Sequence, residues 1–426
     1  MGASTFRPAA EVAVVDRFPE GDWDQVEPGV AGWSREKPAK AEAWSQQIGS
    51  TAVMVVHRGA VVAQWGDIAA KTPLASVRKS VLNALIGNAV ERGQIDLSQP
   101  IGELGIDDNE PSLSAEEKSA TVRDLLQARS GIYHNWDFNA LGAIYEHAAG
   151  SSIFDAFARE IAGPISMQDY QPSDGEYGTG AASVYPAYPI NMSARDLARF
   201  ALLYLHKGRW GDRQIVPAQW IEESTRAYSQ SEGGPGYGYL WCVGSINNGA
   251  APSVTLPAGS FFALGYGGQC AFVIPACDLV VVHRAPHLGG GGNLREMGRL
   301  LWLPLDARPF PDVGPDASIE GARYAPASGE TLSRILPGKT LLYGDAAMHG
   351  PYRTRLNRDG SAVVLRGREP TELDTGSWRV QGDQFCRDWN KIEPRHMSFA
   401  VVVDGSNIQL FDGKGLMWID ARVVDD

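Results

Sequence analysis

The tetrad Ser76-Val77-Arg78-Lys79 stands where a strand-rich segment gives way to a helix. Residues three apart on a helix share one face, with Cβ atoms roughly 5–6 Å apart, so the Lys79 amine can reach the Ser76 hydroxyl. An adjacent base turns a serine into an effective nucleophile. The positive helix N-terminus and the neighbouring Arg78 favour the uncharged amine that a base needs. The alternative is that Ser76 is a simple helix cap and Lys79 a solvated cation.

The residues around the tetrad distinguish it from a chance match. Ser-x-x-Lys is expected by chance about once in a chain of this size, and Ser34-Arg35-Glu36-Lys37 is a second copy. That copy runs into Pro38 with no apolar helix behind it, so we expect it in a surface loop. After Ser76, apolar residues recur at helical spacing, which buries one helix face and holds the first turn rigidly. They are Val77, Val81, Leu82, Leu85, Ile86, Ala89 and Val90.

Length and charge limit the classes of protein to consider. A chain of 426 residues exceeds the size at which one core keeps growing, so we expect two domains. Hydrophobic residues make up 44% and charged residues 21%, as in ordinary globular proteins. The net charge of -12 would repel nucleic acid and anionic membranes, so neither is expected as a partner. A small neutral or cationic substrate stays open, and the oligomeric state is not indicated.

The cysteines indicate neither a metal site nor a redox motif. Cys242, Cys270, Cys277 and Cys386 form no C-x-x-C pair and have no histidine at ligand spacing, so no metal or other cofactor is predicted. The first 25 residues lack the apolar stretch of a signal peptide, and no run approaches membrane-spanning length. We therefore expect a cytoplasmic protein.

Hydrophobic patterns predict strands at both ends of the first 300 residues, with helices between them. Strands are predicted over 53–56, 61–65, 236–243, 269–274 and 279–283, and helices after Ser76, after Thr121, over 139–149 and after Ser193. This order favours an α/β (α+β) sandwich, in which distant segments share one antiparallel sheet beside a helical region.

The composition changes near Arg308. Pro309, Pro311 and Pro315 indicate a linker, and short alternating strands with Gly or Asp turns follow it. These strands predict a small all-β domain, either a barrel or an open meander, with Trp378, Trp389, Phe399 and Trp418 in its core. The predicted organisation is an N-terminal extension over 1–49, an α/β domain over 50–308, a linker over 309–322 and an all-β domain over 323–426.

Further segments accompany the tetrad in the order used by the serine β-lactamase and penicillin-binding-protein-like superfamily, which the chain resembles over roughly residues 50–305. Tyr133-His134-Asn135 matches its Tyr-x-Asn box, and Gly265-Tyr266-Gly267-Gly268-Gln269 lies where its third box leads onto a core strand. Segments 135–142 and 192–200 resemble the branch with 6-aminohexanoate-dimer hydrolases and class C-like esterases. The C-terminal part resembles lipocalin-like β domains. The resemblance implies a β-lactamase/transpeptidase-like fold.

The resemblance also implies a reaction, namely acyl transfer from a small ester or linear amide. Ser76 would attack the carbonyl, Lys79 and Tyr133 would move its proton, and water would hydrolyse the acyl-enzyme. Tyr133 would also donate to the leaving group, a role that requires Lys79 to lower the pKa of the phenol. Asn135 would hold the substrate amide or orient Lys79.

The resemblance also implies an oxyanion hole, to which the third box contributes one donor. Its donors would be the backbone N–H groups of Ser76 and of Tyr266, the residue after Gly265. Gly267 and Gly268 would let the substrate approach the strand closely; the alternative is a plain glycine turn before the strand.

Two departures from the superfamily pattern limit what the resemblance implies. Ala263-Leu264-Gly265 stands where β-lactamases carry Lys-Thr-Gly, so true β-lactamase activity is not expected.

Relatives of the branch also have a longer loop before the Asn-Trp-Asp-Phe-Asn stretch, whereas here Tyr133-His134 runs directly into Asn135. Tyr133 either acts as the second base or is the substrate-contacting tyrosine of a shortened loop. The shortened loop favours the alternative function, a catalytically degenerate protein that binds ligands or partners without turnover.

Overall fold

The structure is a computed structural model that describes the chain in several segments. These are residues 17–34, 36–109, 112–132, 136–180, 183–230, 235–244, 256–257, 259–286, 300–301, 327–343, 352–366, 370–392, 395–404, 407–411 and 417–425. The predicted linker lies outside them, so its limits stay a prediction.

An eight-stranded antiparallel sheet organises the residues up to Arg284. Its strands are β1 (Ala52–His57), β2 (Ala60–Gly66), β9 (Ser229–Gln230), β10 (Gly236–Tyr237), β11 (Cys242–Val243), β12 (Phe261–Gly265), β13 (Gln269–Ile274) and β14 (Leu279–Arg284). Their order is β2-β1-β14-β13-β12-β11-β10-β9. Val53 pairs with His283, so the two ends of the region share one sheet. The predicted fold class is confirmed.

Six short strands form separate two-stranded sheets around the main one. They are β3 (Thr72–Pro73) with β6 (Asn191–Met192), β4 (Gly178–Gly180) with β5 (Ser183–Ala187), and β7 (Arg209–Trp210) with β8 (Arg213–Gln214).

Nine α-helices are described within these segments. They are α1 (Glu36–Gln47), α2 (Arg78–Glu91), α3 (Ala115–Lys118), α4 (Val122–Leu126), α5 (Trp136–Ala149), α6 (Ile153–Phe157), α7 (Ala194–Leu205), α8 (Ala218–Ser224) and α9 (Gly329–Ile335). The predicted capping residues begin two of them. Thr121 accepts a hydrogen bond from the Asp124 N–H at 3.2 Å, and Ser193 accepts one from the Asp196 N–H at 3.2 Å. Helix α7 packs on β13 and β14, while α2 packs on α5.

Both faces of the main sheet are covered, so β1, β13 and β14 are buried along their whole length. Successive side chains of a strand point to opposite faces. Met54 and Val56 accordingly pack in the large core with α2, α5 and α7, whereas Val53 and Val55 pack in a smaller core with α1. Burial on both faces explains why these strands are continuous apolar runs rather than alternating ones.

The second Ser-x-x-Lys copy leads into a helix, so the prediction that no apolar helix follows it was wrong. Helix α1 begins at Glu36, within the copy. Pro38 falls in the first helical turn, where a missing backbone N–H leaves no bond unmade. Ala41 and Trp44, three residues apart, are buried in the smaller core. The helical spacing of these apolar residues was the signal that the sequence interpretation overlooked.

The aromatic segment 236–243, predicted as one strand, is a hairpin of β10 and β11. The Gly238 N–H bonds the Trp241 carbonyl at 2.8 Å, and Leu240 adopts a left-handed φ of +61°. Tyr239, Leu240 and Trp241 are buried although they form the turn. A buried apolar turn has the composition of a strand, which is why the sequence pattern misled.

The C-terminal region forms a closed antiparallel barrel of eight strands. They are β15 (Lys339–Tyr343), β16 (Tyr352–Leu356), β17 (Ser361–Arg366), β18 (Thr371–Gln381), β19 (Gln384–Trp389), β20 (His396–Asp404), β21 (Asn407–Phe411) and β22 (Met417–Asp425). Strand β22 pairs back to β15, with Val423 opposite Leu341. Trp378, Trp389 and Phe399 are buried in its core as predicted, while the side chain of Trp418 is not described. Closure decides between the two predicted forms, because it leaves no open sheet edge.

None of the described helices combines the length and the apolar character needed to cross a bilayer. Within the same segments, no cluster of three or more His, Cys, Asp or Glu side chains is arranged to hold a metal ion.

Candidate active site

Ser76 lies on a tight turn between β3 and α2. One 3₁₀ turn spans Ala75–Val77, and the backbone continues in right-handed conformation from Val77 into α2. The preceding Ala75 has a φ of +49°, a left-handed conformation that costs a non-glycine residue roughly 1–2 kcal/mol. Backbone strain of this kind persists where the surroundings over-determine the chain, and it is concentrated at functional sites. Ser76 itself is only half-buried, so it is not sealed in the core.

A buried arginine from the end of the main sheet holds the strand that leads into this turn. The Arg284 guanidinium donates hydrogen bonds to the carbonyl oxygens of Thr72 at 2.8 Å and Met192 at 2.7 Å. The Leu74 N–H in turn bonds the Ile190 carbonyl at 2.8 Å. Arg284 is 1% exposed, and burial lowers the pKa of its guanidinium to about 10, which leaves it charged at neutral pH. The residues before Ser76 are therefore fixed to the sheet.

The end of β12 runs against the same turn at Gly265. A Cβ atom placed on Gly265 would lie 2.6 Å from the Leu74 carbonyl oxygen and 3.0 Å from the Ser76 nitrogen. Both contacts are too short for a side chain, so only glycine fits. Gly267 has a φ of +73°, which also favours glycine. Between them, the Tyr266 side chain is 67% exposed. The structure thus brings together four of the predicted site positions: Ser76, Gly265, Tyr266 and Gly267.

Lys79 lies in the first turn of α2, and its Nζ is 3.7 Å from the centroid of the Phe138 ring. Burial lowers the pKa of Lys79 from 10.5 to about 7, and the charge of Arg78 acts in the same direction. Cys242 and Asp137 act in the opposite direction. A pKa in this range makes the uncharged amine accessible near neutral pH. The predicted effect of Arg78 is confirmed in direction, although burial is the larger cause.

Two described phenols near these residues are poor candidates for a base. Tyr188 is 1% exposed, and the Arg78 guanidinium lies 4.6 Å above its ring centroid. Burial raises the pKa of Tyr188 to about 12, and it raises the pKa of Tyr237 well above 10. A general base needs a pKa near the working pH, and these shifts move the phenols away from it.

Tyr133 and Asn135, the remaining predicted site residues, lie outside the described residues. The segment before them ends at Ile132, whose N–H bonds the Ser130 hydroxyl oxygen at 3.0 Å. The segment after them begins at the buried Trp136, the first residue of α5. Their roles stay predictions.

Three residues around Lys79 were missed by the sequence analysis: Asp137, Phe138 and Cys242. Asp137 and Phe138 belong to the Asn-Trp-Asp-Phe-Asn stretch, to whose acid and aromatic ring the sequence assigns no role. An acid in the first turn of a helix is usually a solvated charge that favours the helix dipole. Cys242 is distant in sequence. Only the tertiary structure brings these groups within reach of the amine: α5 packs on α2, and Cys242 on β11 is close enough to act on the pKa of Lys79.

A match to a family model shows the class to which the protein belongs. The family model described as Beta-lactamase matches residues 23–299, more than half of the 426 residues. The chain belongs to this family of hydrolases.

Individual relatives are distant. An uncharacterized protein of Alkalihalophilus pseudofirmus is 24% identical over 245 residues, which are 49% of this chain and 71% of that protein. A structure described as a 6-aminohexanoate-dimer hydrolase of Bacillus anthracis has a TM-score of 0.48 and 19% identity, covering 67% of this chain and 87% of its own. EstCE1, a hydrolase with promiscuous acyltransferase activity, has a TM-score of 0.47 and 16% identity, covering 64% of this chain and 98% of its own. The family assignment rests on the family model and not on these similarities.

Proposed function

We propose that the protein is a serine hydrolase that cleaves a small ester or linear amide through an acyl-enzyme on Ser76. The observation that carries the proposal is the lowered pKa of the Lys79 amine. Its amine follows the hydroxyl by one helical turn, and burial lowers the pKa of Lys79 to about 7. Ordinary surface lysines, with a pKa near 10.4, cannot act as bases at neutral pH.

The proposed reaction has two stages. In the first, Lys79 takes the proton of the Ser76 hydroxyl while its oxygen bonds to the substrate carbonyl carbon. The N–H groups of Ser76 and Tyr266 hold the oxyanion, and Lys79 passes the Ser76 proton through Tyr133 to the leaving alcohol or amine. In the second stage, water attacks the ester and loses a proton to Lys79 and Tyr133; the bond to Ser76 breaks, the acid is released, and that proton returns to the Ser76 oxygen. Asn135 is proposed to hold the substrate or orient Lys79.

The residues at the third box argue against a β-lactam substrate. Ala263, which stands where β-lactamases carry lysine, is 2% exposed and pairs with Ala271 inside the sheet. The position therefore offers no cation to bind a β-lactam carboxylate. An uncharged ester or amide needs no such partner, and the net charge of -12 disfavours polyanions as partners.

A fluorophosphonate probe tests the proposal because it labels activated serines. We expect the wild type to be labelled and Ser76→Ala to be unlabelled. Ser34→Ala is the matched control, since it removes the serine of the other Ser-x-x-Lys copy, and it should be labelled like the wild type. Labelling that persists in Ser76→Ala would refute the assignment, and no labelling of any variant would support the degenerate ligand-binding protein.

Substrate classes are then ranked on the labelled enzyme with p-nitrophenyl esters, 6-aminohexanoate dimer and nitrocefin. We expect turnover of an ester or of the linear amide and none of nitrocefin. Tyr133→Phe tests the second base. Hydrolysis at the wild-type rate by this variant would remove Tyr133 from the mechanism.

A further inference from the structure

The three-residue turn between β12 and β13 carries the Tyr266 N–H, the proposed second donor to the oxyanion. Gly265 pairs with Gln269 across the base of this turn, so Tyr266, Gly267 and Gly268 lie beyond the last strand pair. Gly267 has a φ of +73° and Gly268 a φ of +86°. Neither glycine has a side chain that could anchor the turn, and the Tyr266 side chain is exposed. The direction of the Tyr266 N–H therefore depends on contacts to the backbone of the turn.

One such contact comes from His283 in the neighbouring strand β14. His283 lies opposite Cys270 in the sheet, and its Nδ1 is 2.6 Å from the Gly268 carbonyl oxygen. A carbonyl oxygen only accepts hydrogen bonds, so the proton that joins the two atoms is on Nδ1. His283 is 1% exposed, and burial lowers its pKa to about 4. The neutral ring therefore has one proton at neutral pH, and that proton is directed at the turn.

Ser50 holds the other side of the His283 ring. Its hydroxyl oxygen is 2.7 Å from Nε2. Because Nδ1 carries the proton of the neutral ring, the Ser50 hydroxyl donates and Nε2 accepts. The Ser50 N–H bonds the Ser45 carbonyl at 2.9 Å, near the C-terminal end of α1. Two side chains thus connect α1 to the turn and fix the tautomer and the orientation of the ring.

Arg284 supports the same hairpin from the opposite face of the sheet. Successive residues of a strand point to opposite faces, so His283 lies on the face of the smaller core and Arg284 on that of the larger one. The Arg284 Nε donates to the Gln269 side-chain oxygen at 2.8 Å. The same guanidinium bonds Thr72 in β3, the strand that leads to the nucleophile. Adjacent residues of β14 therefore hold the two backbone segments that form the proposed oxyanion hole.

We propose that His283 is a positioning residue that fixes the Gly268 carbonyl and thereby aims the Tyr266 N–H at the oxyanion. The inference rests on the proposed function for its catalytic meaning. An oxyanion donor is effective when it is already in place as the charge develops, because it then needs no reorganisation. That interaction is stronger in the transition state than with the bound substrate, so displacement of the turn lowers the rate of acylation more than the affinity.

Two substitutions separate the two hydrogen bonds of His283. The amide nitrogen of asparagine takes about the place of Nδ1, and that of glutamine about the place of Nε2, so only His283→Asn keeps a donor for Gly268. We expect the maximal rate of fluorophosphonate labelling to fall by about 10- to 100-fold in His283→Gln, because full loss of an oxyanion donor costs about 100- to 1000-fold. The probe concentration at half-maximal rate should change by less than about threefold, and His283→Asn should label within about threefold of the wild type.

His57→Gln is the matched control. His57 is another buried histidine of the same sheet, four residues along β1 from Val53, the partner of His283, and so about 13 Å away. Its Nδ1 accepts a hydrogen bond from Trp33 Nε1 at 3.4 Å. We expect His57→Gln to lower the stability in urea unfolding, as His283→Gln does, while the labelling rate stays that of the wild type.

An NMR measurement follows the turn without any turnover. In protein with ¹⁵N in its tyrosines, the Tyr266 amide signal is assigned by its loss in Tyr266→Phe. The signal should move in His283→Gln and stay in place in His57→Gln. If His283→Gln does not fold, ¹⁵N-histidine spectra of the wild type provide the test. The His283 ring, assigned by its loss in His283→Asn, should carry its proton on Nδ1.

A His283 ring protonated on Nε2 would overturn the inference, because no proton would then join it to Gly268. Equal losses of rate in His283→Asn and His283→Gln would do the same, and so would an unmoved Tyr266 amide in folded His283→Gln. A moved amide in a protein whose wild type is not labelled would support the positioning and refute the hydrolase. Labelling of Ser76 that His283→Gln leaves unchanged would support the hydrolase and refute the positioning.

Discussion

Replacing Gly265 with alanine tests whether the end of β12 holds the nucleophile turn in place. The added methyl carbon would lie 2.6 Å from the Leu74 carbonyl oxygen and 3.0 Å from the Ser76 nitrogen. Carbon and oxygen approach to about 3.3 Å even in weak hydrogen bonds. One of the two segments must therefore move by roughly 0.7 Å. Both contacted atoms belong to the backbone, so no side chain can rotate to make room.

Two consequences are expected. Overpacking of this size costs about 1–3 kcal/mol of the free energy of unfolding. The displacement falls on the turn after Thr72, a residue that Arg284 holds by a hydrogen bond, so the Ser76 hydroxyl shifts relative to Lys79. A misplacement near 1 Å can reduce a reaction rate about 100-fold. We expect the second-order rate of fluorophosphonate labelling to fall by about that factor.

The comparison uses Gly178→Ala as its control, because nothing lies within 4 Å of the Cβ position of Gly178. Labelling rates and urea unfolding are measured for both variants and for the wild type. The control should match the wild type within about 0.5 kcal/mol. If Gly265→Ala labels at the wild-type rate, the close approach of β12 does not position the nucleophile and the reasoning fails.

Three further predictions concern residues around the turn. Lys79→Met should abolish labelling yet raise the free energy of unfolding at pH 7 by about 2–4 kcal/mol, because the pKa of Lys79 falls from 10.5 to about 7 on folding. Between these pH values the unfolded chain binds more protons, so the stability of the wild type, but not of Lys79→Met, should rise with pH in calorimetry. Phe138→Leu removes the ring that favours the ammonium, and the labelling profile should shift to lower pH by about half a unit. Arg284→Met leaves buried carbonyls unpaired and should cost about 2–4 kcal/mol in urea unfolding.

Local signals in the sequence predicted much of the fold. The capping residues Thr121 and Ser193 begin helices where the sequence places them, because a cap is a contact between residues three apart. The hairpin of β1 and β2 follows from two apolar runs around a glycine turn. The errors have equally local causes. Pro38 concealed the start of α1, and the buried turn at Leu240 looked like part of a strand.

Some features of the candidate site could be predicted from the sequence, and others depend on contacts between distant segments. The spacing of Ser76 and Lys79, one helical turn apart, can be read from the sequence, which also indicates that Arg78 favours the neutral amine. The packing of distant segments sets the rest: burial is the larger influence on the pKa of Lys79, Asp137 and Cys242 also act on that pKa, and Gly265 lies against the Ser76 backbone. Burial and contacts between distant segments depend on how α5 packs on α2 and how β12 packs on the Ser76 turn, and no short stretch of sequence contains that information.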